Sequence, residues 1–334
     1  MANYIIRRLL LLIPILLGVS LATFVVMHAF TTDPTEIILG QHATAEKVAA
    51  LRIELGLNKP IYVQYWDYLS SALQGDLGRS VITKTSITAE LVKRFPATVE
   101  LSLVAMIIAS VVGIVAGVIS AVKQNSVWDY GTMVAALLGV SMPIFWLGLM
   151  MIILFSVILG WFPASGRIGI GLEPEHITGL YVLDALMTGN LSSFWDAFKH
   201  LVLPGIALGA YSAAIIARMT RATMLETIRQ DYIRTARAKG LKERVVIVKH
   251  ALRNALIPIV TVIGLQLGQL MAGAVLTETV FSWPGIGSYV VDGIMASDYP
   301  RVQGTVLLIG TIYVLANLAV DIMYSYLDPR IQHS

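Results

Sequence analysis

Six stretches of this chain are apolar over the length a bilayer requires: residues 9–29, 98–121, 130–159, 201–219, 255–277 and 303–326. They leave the backbone little choice. A hydrocarbon layer about 30 Å thick needs roughly 20 residues of helix to cross it. With no water inside, each N–H and C=O must be paired within the protein, and a helix does this within itself. The composition agrees, with 56% hydrophobic and 13% charged residues among 334 and a mean hydropathy of +0.74. The expected fold is therefore an all-α polytopic membrane protein with six transmembrane helices. The first run follows Arg7 and Arg8, exceeds the roughly 7–15-residue apolar core of a signal peptide, and has no small-residue cleavage site in MHAFTTDP. It reads as a retained first helix, and its outer-end His28 as an interfacial residue rather than a ligand.

Charge orients the spans. From Arg218 to Arg253 there are ten Lys or Arg against Glu226, Asp231 and Glu243, a local balance of +7 in a chain whose net charge is only +3. Sorting cations by six spans puts fourteen inside and ten on longer outer loops, so both termini are expected in the cytoplasm. Such localised charge fits a membrane protein and argues against a nucleic-acid binder. The chain divides into an N-terminal helix (1–30), an extracytoplasmic segment (31–95) and a core of five helices (96–330). Within 31–95, seven cations match seven carboxylates, residues 45–55 have helical periodicity, and Pro60 opens an amphipathic run with Tyr62, Tyr65, Trp66 and Tyr68. These aromatics suit an interface belt or a small packed cap. Gly113 and Gly117 make a GxxxG pair for close helix packing, and Pro143 is placed to kink the third span.

Between the fourth and fifth spans, residues 232–239 read as a helix capped by Asp231 and stopped by a left-handed Gly240. At about 1.5 Å per residue it is too short to cross a bilayer. Ile233, Ala236 and Gly240 share a small apolar face, which suits docking onto another protein; alternatively, the surrounding cations serve only the topology. In the fifth span, Gln266 and Gln269 lie three residues apart, with Gly273 further out. They either bond neighbouring helices or line a wet translocation path. Asn317 and Asp321 in the sixth span are a similar polar pair. There is no GxxxxGK[ST], HExxH or GxSxG motif and no cysteine, and the six histidines are scattered. No catalytic residue, metal site or cofactor is expected in this chain.

Several segments, running nearly end to end, resemble the B-type permease subunit of ABC importers for dipeptides and oligopeptides, a family that also includes glutathione and nickel permeases. They are YIIRRLLLLIP, DPTEIILG, LGLNKPIYVQYWDYLSSALQGDLGRS, FPATVELS, DYIRTARAKGL with HALRNALIP, ETVFSWPGIG, DYPRVQG and YLDPRI. The resemblance implies a type I ABC importer permease fold in the cytoplasmic (inner) membrane of a prokaryote. It implies a C-type permease partner, two ATP-binding subunits that hold the ATP and Mg²⁺, and an extracytoplasmic solute-binding protein. It also implies that residues 231–240, including Tyr232, Ile233, Arg234, Thr235, Ala236, Arg237, Ala238, Lys239 and Gly240, form the helix that couples to an ATPase. The wider importer motif is E-A-A-x-x-x-G followed by I-x-L-P. Here Ala236 and Gly240 match, Arg234 and Thr235 replace Glu and the first Ala, and Arg253 stands at the proline position with Pro258 five residues later. The implied cargo is a di- or oligopeptide, with glutathione, nickel chelates or oligosaccharides as alternatives. A secondary transporter or channel would need coupling-ion carboxylates at the bilayer midplane, and a membrane hydrolase a nucleophile–base pair; neither pattern is found.

Overall fold

The structure is a computed structural model that describes residues 2–30, 33–40 and 43–327. Arg330 and most of the closing YLDPRI lie outside these residues, as does the side chain of Asp321. Helix α1 (Ala2–Phe30) is followed by α2 (Pro34–Leu39), α3 (Ala45–Glu54) and α4 (Ile61–Leu73). Asp33 caps α2 by accepting from the Thr35 N–H at 2.9 Å, and Gly56 turns the chain after α3 with φ +69°. The aromatics of α4 divide by face. Tyr65 meets the Phe24 ring edge-on at 5.3 Å and hydrogen-bonds Ser20, and Tyr68 donates to the Gln303 carbonyl at 3.2 Å, whereas Tyr62 and Trp66 remain exposed. One side of the helix is thus packed against α1 and α15 and the other is exposed.

Two helices form the spine. Helix α5 (Ile87–Val122) has 36 residues, α9 (Leu191–Ile228) has 38, and both extend well beyond the span read from the sequence. At about 1.5 Å per residue each exceeds 50 Å, more than hydrocarbon alone requires. They pack closely because small residues meet. A Cβ on Gly113 would lie 2.8 Å from the Ala213 carbonyl, one on Gly117 2.5 Å from Thr220 Cβ, and one on Gly209 2.7 Å from the Ala105 carbonyl. The GxxxG pair therefore packs α5 against α9. Their common core holds Leu101, Ala105, Ala109, Leu208 and Ile216, all nearly or fully buried.

The third span is broken. Helices α6 (Val127–Ser141) and α7 (Ile144–Met151), the latter continued by a π-helical stretch Ile152–Ile158, meet at 109°. Pro143 disfavours a helical residue before it, and Met142 is extended at φ −80° and ψ 132°. The expected kink is thus a sharp corner, a bend of 109°. Helix α8 (Tyr181–Met187) lies in the connection between the third and fourth spans.

After α9 come α10 (Asp231–Ala238), α11 (Glu243–Val245) with a π-helical stretch Val246–Leu252, and α12 (Arg253–Gly273). Helices α13 (Val275–Val280) and α14 (Ile286–Met295) then lead to α15 (Tyr299–Leu327), which packs on α1 and α12. Among the described residues five helices are long and apolar enough to cross a membrane, and six spans result if the bent pair counts as one. The described residues contain no strand, only an isolated bridge between Arg79 and Ser86.

Candidate functional site

An eight-residue helix is too short to hold its shape in water unaided, so α10 depends on what seats it. Gln230, not Asp231, occupies its cap position; Asp231 lies within the first turn and pairs with Arg234 at 3.2 Å. Gly240 has φ +75°, the left-handed conformation expected of it, and its N–H donates to the Arg237 carbonyl at 2.9 Å. Arg237 donates to both carboxylate oxygens of Glu243, at 3.2 and 2.7 Å, closing the loop from α10 to α11. That carboxylate raises the Arg237 guanidinium above its ordinary pKa. Asn254 donates to the Tyr232 hydroxyl at 2.7 Å, fastening α10 to the start of α12.

The apolar face expected to dock is already occupied. Ile233 is 0% exposed and Ala236 7%, and both belong to the core that includes Met224, Val246 and Ala251. The short helix uses its apolar side to attach itself to the bundle. What faces outward is Tyr232, Arg234, Thr235, Arg237, Ala238, Lys239 and Gly240, continued by Leu241. This outer surface is cationic, with a small-residue gap at Ala238.

The fifth-span glutamines separate. Gln266 is 4% exposed and its Nε2 has no hydrogen-bond partner among the described residues, whereas Gln269 is exposed. Three residues turn a helix by about 300°, and that 60° offset takes one side chain inward and the other outward. A Cβ on Gly268 would meet Asn317 Oδ1 at 3.4 Å, so that glycine marks the α12–α15 seam. Gly273 closes α12, and its surroundings lie outside what the structure describes.

Motif reading missed two charged locks. In the N-terminal half of α5, Glu100 accepts from Arg167 at 3.0 and 2.5 Å and from the Val182 N–H at 2.8 Å. Arg167 also lies 3.7 Å over the Tyr181 ring. Beside this pair, Trp283 Nε1 donates to the Ala97 carbonyl at 2.9 Å. Glu278, fully buried, accepts from the Thr98 hydroxyl at 2.6 Å and the Ser288 N–H at 2.9 Å. Burial pushes the Glu278 carboxyl above the usual carboxylate range, although these bonds oppose it. Asp184 moves the other way: burial raises it, but bonds from Thr178, Gly179 and Ile177 together hold it below its ordinary value. At the opposite end, Asp129 accepts from Arg221 at 2.7 and 2.8 Å and from the Ser120 hydroxyl, tying the α5–α6 turn to α9. Partners this distant in sequence leave no local pattern; buried charge within apolar surroundings was the available signal. No group of three His, Cys, Asp or Glu among the described residues is arranged to hold a metal.

Residues 113–333 match the family model described as the binding-protein-dependent transport system inner membrane component, and residues 1–102 match the model of its N-terminal region. The dipeptide transport system permease protein DppB of Alkalihalophilus pseudofirmus is 52% identical over 333 residues, covering 100% of both chains. Its namesake in Escherichia coli K12 is 48% identical over 337 residues, covering 100% of this chain and 99% of that one. The glutathione transport system permease protein GsiC of Escherichia coli O6:H1 is 40% identical over 333 residues, covering 100% of both. An inward-facing MetNI methionine ABC transporter chain superposes with a TM-score of 0.54 at 21% identity, covering 71% of this chain and 96% of that one. That likeness concerns the fold, which is the type I ABC importer permease fold. Its architecture and its match over both N-terminal and core regions place this chain in the family of inner membrane components of binding-protein-dependent transport systems.

Proposed function

We propose that this chain is one transmembrane subunit of an ATP-driven importer of di- and oligopeptides, set in the inner membrane of a prokaryote. A C-type permease would complete the bundle, two ATPase subunits would hold ATP and Mg²⁺, and an extracytoplasmic binding protein would deliver the cargo. The observation that carries the peptide reading is identity of about half to dipeptide permeases over the whole chain. Both termini lie in the cytoplasm in this reading, and ATP hydrolysis belongs to the partners.

The coupling role falls to α10, which is joined to α9 through Arg229 and Gln230 and pinned to α12 by Tyr232 and Asn254. A force on its exposed cationic face enters both helices, which pack on α5. Movement of the ATPases then shifts the bundle between inward- and outward-open arrangements. Gln266, with its spare donor, is the better candidate for a path shared with the C-type partner; Gln269 and Gly273 are secondary. Ala238→Glu tests the coupling. The site is exposed and Glu is a good helix former, so the permease is expected at its normal level and thermal stability. ATPase co-purification should fall, and uptake of radiolabelled alanyl-alanine should drop more than tenfold. Normal uptake with ATPases bound overturns the coupling assignment. For cargo, unlabelled dipeptides should compete for uptake and glutathione should not; the reverse overturns the peptide reading.

A further inference from the structure

We propose that the outer cavity beside α4 and the start of α15 is a binding subsite for short zwitterionic peptides, a station on this chain itself. The proposal rests on the peptide-import reading above. The cavity measures about 420 Å³, within the roughly 300–1,000 Å³ of small-molecule sites. It lies among the end of α1, the α3–α4 turn, α4, the GDLGRS turn and the first turn of α15.

Its charged groups are of both signs. Arg79, Glu54 and Asp76 line it without an ion pair among the described residues, Asp76 accepting instead from the Gly78 N–H at 2.9 Å. Lys59 and Asp67, also at the wall, pair with each other at 2.7 Å. A cavity for an apolar ligand would hold no free guanidinium and carboxylate, and one for a simple anion would not carry the carboxylate. The two ends of an unblocked peptide answer this arrangement: a carboxylate for Arg79 and an ammonium for Glu54. Arg favours carboxylates because its planar donors can engage both oxygens.

A second observation points to a ligand between those ends. Gln303, 5% exposed, lines the same cavity, and its buried Nε2 has no partner among the described residues. An unsatisfied amide donor is unfavourable in a packed wall, and turning the Gln303 amide toward the cavity would let a peptide carbonyl accept from it. The Gln303 backbone carbonyl is occupied by the Tyr68 hydroxyl, which fixes the site's inner edge. Burial raises Tyr68 well above its ordinary pKa, so it remains a neutral donor. Tyr299, 7% exposed and tilted against His28 at 5.2 Å, supplies an aromatic wall for side chains.

The test uses the assembled transporter in nanodiscs without its binding protein, with radiolabelled alanyl-alanine as the probe. The dipeptide is expected to bind saturably, and alanyl-alanine amide and N-acetyl-alanyl-alanine about tenfold or more weaker, the loss of one charge-assisted contact at each end. Arg79→Gln should abolish the preference for the free acid over the amide, and Glu54→Gln the preference for the free amine over the acetylated form. Gln303→Leu should weaken all three ligands together. A structural role for these residues would not move the two preferences separately. No saturable binding, or preferences unchanged in both charge variants, overturns the subsite. Uptake of alanyl-alanine by cells carrying the intact transporter separates the readings. Uptake without nanodisc binding sinks the subsite alone, and absence of uptake sinks the import reading on which it rests.

Discussion

A Cβ added to Gly285 would sit 2.2 Å from Glu278 Oε1, and one added to Gly287 2.6 Å from Val275 Cα. The PGIG turn is tight because a buried carboxylate fills the space where side chains would stand. Gly285→Ala should destabilise the protein by about 1–3 kcal/mol or more, seen as a lower unfolding temperature in detergent; an unchanged midpoint would contradict this packing. Glu278 itself predicts a pH dependence. Its folded pKa is raised above the ordinary 4.5, so its contribution to stability is fully present below that value and is lost as pH rises through the folded pKa. Glu278→Gln cannot titrate. The wild-type unfolding temperature minus that of Glu278→Gln should therefore fall as pH rises from about 4.5, and a difference that rises with pH would refute the sign. None of this was legible in ETVFSWPGIG as a motif, because the donors to Glu278 include Thr98, 180 residues away.

Helix α10 was legible as an element, with its length and its glycine stop, but not its orientation. Spacing marks Ile233 and Ala236 as one apolar face without saying whether that face meets a partner or its own chain. The fold seats it inward, against Val246 and Ala251, because an isolated eight-residue helix needs tertiary contacts to persist. Ala236→Glu and Ala238→Glu, two residues apart, should consequently behave differently. The first puts a carboxylate into a filled core and should lower thermal stability by roughly 1–3 kcal/mol or reduce the amount of protein in the membrane. The second should leave stability within about 0.5 kcal/mol while impairing transport. Equal thermal stability of the two would show that α10 is not seated this way. The α6–α7 corner teaches a related lesson. Pro143 announced a bend, but a proline alone sets no angle, and 109° depends on what the two arms pack against. Helix α7 finds its place against α9 and α13.

For the molecule as a whole, topology and division of labour can be tested together. Ile170 and Leu73 are exposed on the loops assigned outside, and Lys239 and Lys242 on the segment assigned inside. Cysteines at the first two, in a chain with none of its own, should react with an impermeant thiol reagent in intact cells, and those at the second two only after lysis. Labelling of Lys239→Cys from outside would invert the orientation. The purified chain alone should not hydrolyse ATP, and contaminant-free turnover would refute the assignment of hydrolysis to partners. The sequence by itself determined the helical class, the number of membrane runs, the family resemblance and the existence of α10. Those properties follow from local hydrophobic length, glycine and proline geometry, and the need to pair every backbone group within a bilayer. Only the tertiary structure decided which face of α10 is buried, that Gln266 and Gln269 part company, and that Glu100 meets Arg167 and Asp129 meets Arg221. Each of these depends on how separate helices pack, and a buried charge takes its partner from whatever the fold brings within hydrogen-bond reach.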